Sequence, residues 1–381
     1  ATITFHFPPE HLQMLIKKIR DVFGNIKITF GGLFPTLCPD EFKKLENVEV
    51  HVGPYYTADG LRPLIEMTSE TENAIMRVVK GCPRTCSYCV VPQLEGRILT
   101  HYQKENIIKH FQEFYAIGFT NYKFWDSNIL FGRENLYMLL DYLVDYGYTD
   151  SLTIDFNYGL EFALIDDEFI ERMKKFALKN SLYVPLESSE YEIFKDKFHR
   201  PSTHLGHITK AVRKLQEANF QHMNFYVMMG LPYQTLDHIL KTLIFGWRLN
   251  LMPLMMLYTP IPGTEDFTQY QDFYKGKEYW ELNQYLYPCE SKELSKEVLM
   301  FLNKLDRSRL RYTKEDGFHI QVFGISMTTQ YNVYNVSKIH KIPLEDNNFI
   351  LRRIKELILE DQVKPDEVDE RTLRYFHAMT F

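Results

Sequence analysis

Residues 81–89 read Gly-Cys-Pro-Arg-Thr-Cys-Ser-Tyr-Cys and place three thiols, Cys82, Cys86 and Cys89, at CxxxCxxC spacing. The segment follows a strand-like run at 74–79 and stands where that strand leads into a helix. Ligands so closely spaced on one loop can converge on a single metal centre, and cysteine thiolates hold iron–sulfur clusters. The segment therefore predicts a metal site at the carboxyl end of the first strand of an α/β fold.

The chain beyond this loop alternates between short apolar runs and helical patterns. Strand-like runs recur at 122–125, 152–156, 182–186, 224–228 and 253–258. Between them, apolar residues recur at helical spacing, for example at Phe169, Ile170 and Met173. Six strands with intervening helices favour a parallel, barrel-like (β/α)6 sheet, in which functional groups lie at the carboxyl ends of the strands.

The flanking regions follow other patterns. Residues 1–60 alternate as strand, helix and strand, with strands predicted at 2–7, 26–30 and 48–52, which indicates a fragment of a doubly wound, Rossmann-like domain. After residue 266 the alternation ends, and 292–311 and 344–361 predict helices around a short strand at 320–323. We therefore expect a Rossmann-like fragment over 1–60, the barrel over 70–266 and a mostly helical C-terminal accessory region over 267–381.

The composition is that of an ordinary soluble globular protein. A formal net charge of -6 provides no global positive field for nucleic acid, so a nucleic-acid substrate is disfavoured and would need a local patch. No apolar run reaches the roughly 18 residues of a membrane span. Three of the five cysteines are clustered, unlike the spread pairs of a secreted disulfide framework. We expect a cytoplasmic protein without a membrane span.

A structural zinc site is the alternative interpretation of the cysteine loop. Such a site normally takes four ligands, and the nearest further candidates, His101 and Cys38, have no zinc-like spacing to the triplet. Four irons held by three thiolates instead leave one iron open to a small molecule. S-adenosylmethionine (SAM) offers an amine and a carboxylate as a chelate, and one electron passed into its sulfonium would generate a 5'-deoxyadenosyl radical.

The motif CxxxCxΦC, with the aromatic Tyr88 before the third cysteine, resembles the signature of the radical SAM superfamily. The resemblance covers roughly residues 70–265. It implies a partial (β/α)6 barrel, a [4Fe-4S] cluster on the three cysteines, bound SAM, and a low-potential electron donor such as flavodoxin or ferredoxin. Residues 91–97 are similar to the segment after the cluster loop in the cobalamin-binding-domain subgroup and in the methylthiotransferases.

Further segments resemble the SAM-binding turns of that superfamily. The resemblance implies these SAM contacts: Asp126 and Asn128 at the amine, Glu187 and Ser189 near the ribose, Arg200 at the carboxylate, the turn at Gly230, and the backbone near Pro260 at adenine. The sequence departs from the family pattern after the second strand, and Tyr233 and Gln234 replace the usual glycine and glutamate after the fifth. A polar residue at a strand end can instead be a helix cap or a solvated loop residue.

Three functions remain open. The first is a cobalamin-subgroup radical SAM methyltransferase, because residues 31–36 resemble the end of a cobalamin-binding domain; the loop that supplies the lower cobalt ligand is absent, so cobalamin is an open cofactor. The second is a methylthiotransferase acting on RNA or protein, which needs three further cysteines where only Cys38 and Cys289 remain. The third is a non-catalytic scaffold that keeps the cluster. No motif identifies the substrate.

Overall fold

The N-terminal part of the protein is a small α/β unit. The structure, a computed structural model, describes residues 8–53, 73–156, 159–176, 182–199, 204–220, 223–328, 333–344 and 348–362. The unit contains α1 (Pro9–Phe23), β1 (Ile28–Phe30), α2 (Leu33–Leu37) and β2 (Val48–Val50), and β1 pairs in parallel with β2. Its own core joins Leu12 and Ile16 of α1 to Phe30 and Phe42. The strand predicted at 2–7 lies outside the described residues.

Residues 73–257 form the predicted partial (β/α)6 barrel. In chain order its elements are β3 (Asn73–Met76), β4 (Val79–Lys80), α3 (Val91–Glu95), β5 (Thr100–His101), α4 (Lys104–Ala116), β6 (Asn121–Phe124), α5 (Arg133–Asp145), β7 (Thr153–Asp155), α6 (Asp167–Lys174), β8 (Leu182–Glu187), α7 (Tyr191–Asp196), α8 (His204–Glu217), β9 (Met223–Met229), α9 (Leu236–Arg248) and β10 (Met252–Leu257). Strands β3, β6 and β7 pair in parallel, as do β8, β9 and β10. The six predicted strands and the helices between them are confirmed.

The outer faces of these strands hold the main core. In β6, Tyr122 contacts Phe111 of α4 with ring centroids 5.1 Å apart, and Phe124 stacks on Phe156 at 5.4 Å. Since successive side chains of a strand point to opposite faces, the half-buried Lys123 between them faces the interior of the barrel. The core thus lies between strands and helices, and the strand ends are left to carry polar groups.

The C-terminal region combines helices with an antiparallel sheet. It contains α10 (Glu265–Gln269), α11 (Lys296–Asn303), β11 (Ser308–Thr313), β12 (Gly317–Thr328), β13 (Val333–Pro343) and α12 (Phe349–Glu360). Both predicted helices are present, but α11 ends before residue 311, and the sheet β11-β12-β13 occupies a region where only one short strand was expected. The strands are stabilised by pairing between β11 and β12, for example of Arg311 with His319, and such pairing cannot be recognised from a local sequence pattern. Among the described helices, none combines the length and apolar character needed to cross a bilayer.

Candidate cofactor site

A cavity of about 390 Å3 lies at the carboxyl ends of the barrel strands, and all three clustered cysteines line it. Its polar walls come from Asp126 and Asn128 after β6, Glu161 after β7 and Glu187 at the end of β8. Trp125, more than half exposed, contributes an apolar wall. Parallel strands bring their carboxyl ends to one edge, which explains how residues distant in sequence meet here.

The cysteine loop is fixed by backbone geometry at its first residue and by a backbone hydrogen bond farther along. Gly81 begins the loop with φ of +89°, and a Cβ there would lie 2.5 Å from the carbonyl oxygen of Ile98. Only glycine accepts both this backbone conformation and this close approach. Within the loop, the N–H of Ser87 donates to the carbonyl of Lys197 at 2.9 Å. The loop conformation is therefore set by the chain around it.

Glu95, at the end of α3, connects the start of the loop to two strands. Its Oε2 accepts hydrogen bonds from the Arg77 guanidinium at 2.8 Å, from the N–H of Gly81 at 3.3 Å and from the Ser127 hydroxyl at 2.8 Å. Arg77 follows β3 and Ser127 follows β6. One carboxylate thus joins the cysteine loop to the ends of both strands.

The thiol environment fits a positively charged metal group. Burial raises the pKa of Cys89 to about 12, and the neighbouring Cys86, Cys82 and Glu187 act in the same direction. A thiolate there needs a nearby positive centre, which metal ligation supplies. No three His, Cys, Asp or Glu side chains in the described ranges are placed to hold a single metal ion. The three thiols nevertheless line one cavity, which fits a cluster with a separate iron for each thiolate.

Asp126 and Asn128 each keep an unused buried acceptor. Asp126 Oδ1 accepts the N–H groups of Val78 and Val79 at 2.8 and 2.7 Å, while Oδ2 has no hydrogen-bond partner in the described part of the chain. Burial raises the pKa of Asp126 to about 6, against the lowering effect of those two bonds. Asn128 donates to Glu161 at 2.6 Å, and its Oδ1 likewise has no described partner. Buried acceptors of this kind favour a ligand with N–H donors.

Glu161 and Arg84 form a pair that the sequence analysis did not assign. Glu161 is only 4% exposed; it accepts from Nε of Arg84 at 3.2 Å and also pairs with its terminal guanidinium nitrogen. The guanidinium carbon lies 5.7 Å from the centre of the Phe131 ring. The available signals were an arginine inside the cysteine loop and a lone acid shortly after the third strand. The pair ties the loop to the β7 end of the barrel.

Tyr88 and Glu187 meet across the cavity wall. The Tyr88 hydroxyl donates to Oε1 of Glu187 at 3.1 Å, and its ring packs edge-on against Phe198 with centroids 5.1 Å apart. Glu187 has φ of +53° and follows a break in the β8 register after Val184. A left-handed residue other than glycine costs roughly 1–2 kcal/mol, and such strain is typical of functional sites. The conformation directs this strand end toward the cysteine loop.

Ser189, Gly230 and Pro260 are not among the residues that line this cavity. The N–H of Ser189 donates to the Thr242 hydroxyl of α9 at 2.9 Å, so Ser189 anchors the turn after β8. Gly230 follows β9 with φ of +83°, and Pro260 is buried after β10. Arg200 lies outside the described residues. The SAM contacts expected for all of these positions stay predictions.

Comparison with known proteins identifies the class. Residues 76–245 match the model of the Radical SAM superfamily, and this stretch contains the cysteine loop and the polar cavity walls. This stretch of the chain therefore matches a radical SAM domain, as the resemblance in its sequence implied. The cofactors of this superfamily are a [4Fe-4S] cluster and SAM.

Individual relatives are distant. Bacteriochlorophyllide d C-12(1)-methyltransferase of Chlorobaculum tepidum is 21% identical over 309 residues, which are 72% of this chain and 66% of that protein. The tRNA-2-methylthio-N(6)-dimethylallyladenosine synthase of Thermotoga petrophila is 22% identical over 239 residues, 60% of this chain and 52% of that protein. The chain thus spans between half and two thirds of the length of these curated relatives.

A solved structure confirms the fold. The cobalamin-dependent S-adenosylmethionine radical enzyme OxsB, with aqua-cobalamin and S-adenosylmethionine bound, superposes with a TM-score of 0.50 at 13% identity. The match covers 74% of this chain and 47% of that one. At this identity the similarity concerns architecture alone.

Proposed function

We propose that the protein is a radical SAM enzyme that reductively cleaves SAM at a [4Fe-4S] cluster held by Cys82, Cys86 and Cys89. One observation carries the proposal: the three thiols and the unused acceptors of Asp126 and Asn128 belong to one cavity within the matched domain. When bound, the reduced cluster supplies the electron that breaks a carbon–sulfur bond of SAM and yields a 5'-deoxyadenosyl radical.

The residues of this chain bind and orient the cofactor. Asp126 Oδ2 and Asn128 Oδ1 would accept N–H donors of the SAM amine, and the hydrogen bond from Asn128 to Glu161 fixes the amide for this task. Glu187, held by Tyr88, would face the ribose. Arg200, outside the described residues, stays the expected partner of the SAM carboxylate, since a guanidinium matches a carboxylate with two parallel hydrogen bonds.

Three further positions support the cofactor through the turns after β8, β9 and β10. Ser189, Gly230 and Pro260 would act there through backbone geometry, since none of the three lines the cavity. A radical formed at this site reacts with almost any neighbour, so the apolar walls at Val91, Pro92 and Trp125 serve to keep water and other quenchers away.

Methyl transfer to a carbon centre is the reaction we infer for the whole protein. Coverage does not separate the two reactions, since the methyltransferase relative matches over 72% of this chain and a methylthio synthase of Fusobacterium nucleatum over 77%. The preference for methyl transfer rests on the cysteines, because a second cluster would need three more and only Cys38 and Cys289 remain. The N-terminal unit has two described parallel strands, fewer than the doubly wound sheet of a cobalamin-binding domain. Cobalamin stays an open cofactor, and the proposal assigns it no step.

Methylthio transfer to RNA or protein is the second candidate, favoured by the Thermotoga petrophila relative. It would need a second cluster. Cys38 is buried in the N-terminal unit and Cys289 in the main core, and burial raises their pKa values to about 11 and about 12. Two buried cysteines in separate cores do not form a second cluster site, so we rank this candidate lower.

The proposal also implies partners and a compartment. Reduction of the cluster needs a low-potential donor of single electrons, such as flavodoxin or ferredoxin, and an organic substrate receives the radical. A reducing compartment, the cytoplasm, keeps the cluster thiols available for iron.

The test uses anaerobically reconstituted protein. We expect four irons and four sulfides per chain, and 5'-deoxyadenosine released from SAM under dithionite. The Cys82→Ala, Cys86→Ala, Cys89→Ala triple variant should lose the iron, whereas Cys38→Ala and Cys289→Ala should keep it. S-adenosylhomocysteine formed with and without added cobalamin then distinguishes methyl transfer from other outcomes. A colourless protein holding one zinc ion would overturn the proposal.

A further inference from the structure

A group of polar side chains, one of them fully buried and two half-buried, lies against the cysteine loop outside the cavity. It consists of Lys197 after α7, Tyr233 after β9 and Asp266 in α10, here called the Asp266 cluster. None of the three lines the cavity. Their point of contact with the loop is Ser87, which lies between the second and third cysteines and is 2% exposed.

The Asp266 cluster holds both backbone polar groups of Ser87. The N–H of Ser87 donates to the carbonyl of Lys197 at 2.9 Å, and the N–H of Asp266 donates to the carbonyl of Ser87 at 3.1 Å. Asp266 is fully buried, and its Oδ2 accepts the Tyr233 hydroxyl at 3.1 Å. The position of Ser87 therefore depends on two segments that come from the opposite half of the barrel and from α10.

The charges of the cluster are arranged to support one another. The Lys197 ammonium lies 5.0 Å from the ring centres of both Tyr233 and Tyr270 and donates to Gln269 at 2.9 Å. Burial raises the pKa of Asp266, whereas Ser87, Tyr233 and the charge of Lys197 lower it. Oδ1 of Asp266 and the Ser87 hydroxyl have no hydrogen-bond partner within the described residues, although the two groups are near enough to interact.

Burying these polar groups stabilises the fold no better than apolar packing would. A buried carboxylate costs several kcal/mol of desolvation, roughly what its hydrogen bonds and a nearby cation recover, and apolar residues of similar volume are often as stable. Both bonds to Ser87 come from main-chain groups, so the side-chain bond from Tyr233 to Asp266 acts on Ser87 by fixing the main chain of Asp266. This role explains the departure at Tyr233, because a glycine at this position has no hydroxyl to offer Asp266.

We propose that Tyr233 and Asp266 are positioning residues for the iron–sulfur cluster, fixing Ser87 and through it the relative placement of the Cys86 and Cys89 thiols. The inference rests on the proposed function, since it assigns the two residues a role toward that cluster. A displacement of about 1 Å in an active site can lower a rate by up to 10²-fold. Loss of the Tyr233 hydroxyl is therefore expected to lower the rate of SAM cleavage even in protein that remains folded.

The test compares Tyr233→Phe with Tyr270→Phe in the reconstituted full chain. Both substitutions keep a ring beside Lys197, but only the first removes a hydrogen bond to Asp266. For Tyr233→Phe we expect retained iron, an altered electron paramagnetic resonance spectrum of the reduced cluster with SAM, and a rate of 5'-deoxyadenosine formation lowered by at least about tenfold. Tyr270→Phe should match the wild type in all three measurements.

Two further variants separate positioning from folding. Asp266→Asn keeps an acceptor for Tyr233 and should retain most of the rate, whereas Asp266→Ala should reproduce the Tyr233→Phe defect. A Tyr233→Phe protein with a lower Tm but wild-type spectrum and rate would overturn this inference and leave the proposed function intact. Wild-type protein that assembles no cluster would overturn both.

Discussion

Replacing Asp126 by asparagine is expected to separate stability from SAM affinity. The substitution keeps Oδ1 as the acceptor for Val78 and Val79, but it replaces the unused Oδ2 with an amide N–H2. Under the proposed function, that amide would face the donors of the SAM amine. A hydrogen bond to a charged group contributes about 1.5–3 kcal/mol. Its loss predicts a Kd for SAM raised by about 10-fold to 150-fold.

The stability of the apoprotein is expected to change in the opposite direction. Burial raises the pKa of Asp126 from its ordinary 3.8 to about 6, and the difference corresponds to about 3 kcal/mol at 1.36 kcal/mol per pH unit. Because the folded-state pKa is raised, the penalty is fully present above pH 6 and disappears as the pH falls toward 4. Asparagine carries no such penalty. The variant should therefore unfold later than the wild type at pH 8, and this advantage should shrink at pH 4.5.

Two assays and one control decide the matter. Calorimetric titration of reconstituted protein with SAM gives the affinity, and thermal unfolding of the apoprotein at several pH values gives the stability. Asp155→Asn is the matched control, because burial also raises the pKa of Asp155 to about 6 although this residue does not line the cavity. Wild-type SAM affinity in Asp126→Asn, or equal weakening in both variants, would refute the reasoning.

Three other perturbations test the walls of the site. Gly81→Ala should lower the free energy of unfolding by about 2–4 kcal/mol in a denaturant titration, because the strain of a positive φ and a clash with a carbonyl oxygen add together. Its control, Gly96→Ala, has φ of +85° but open space around the added Cβ, and should lower the free energy of unfolding by about 1 kcal/mol. Glu161→Gln should cost about 1–3 kcal/mol, a value discounted because the Arg84 side chain is 29% exposed, and should raise the Kd for SAM. Tyr88→Phe should lower stability by about 1 kcal/mol without loss of iron, measured by thermal unfolding and iron analysis.

Short-range patterns were sufficient for the barrel and for the cysteine loop. The three cysteines lie within eight residues of one another, and each apolar run is only a few residues long. Both patterns can therefore be recognised locally. The sheet that contains β11 could not be recognised in this way. Its residues 308–313 mix arginine with apolar residues, and their partners in β12 are decided by pairing across a turn.

The pair of Arg84 and Glu161 shows a second limit. The two residues are 77 positions apart, and the local signal at each of them does not point to the other. Their relation exists only because β7 and the cysteine loop reach the same edge of the barrel. Asp126 and Asn128 were predicted from a family resemblance. The structure adds a physical reason for the prediction, because each residue has a buried acceptor without a partner in the described part of the chain. The fold was thus more predictable than the partners of its buried charges.

The cysteine loop contacts both three-stranded sheets of the barrel. Through Glu95 it is joined to the ends of β3 and β6, and through Tyr88 it reaches the end of β8. In the described ranges, no backbone ladder runs from β7 to β8. Assembly of a metal group on this loop would then be part of folding, slowing the exchange of β8 amides with solvent deuterium. A chain that loses its iron in air is then expected to open between β7 and β8 and to become sensitive to proteolysis there.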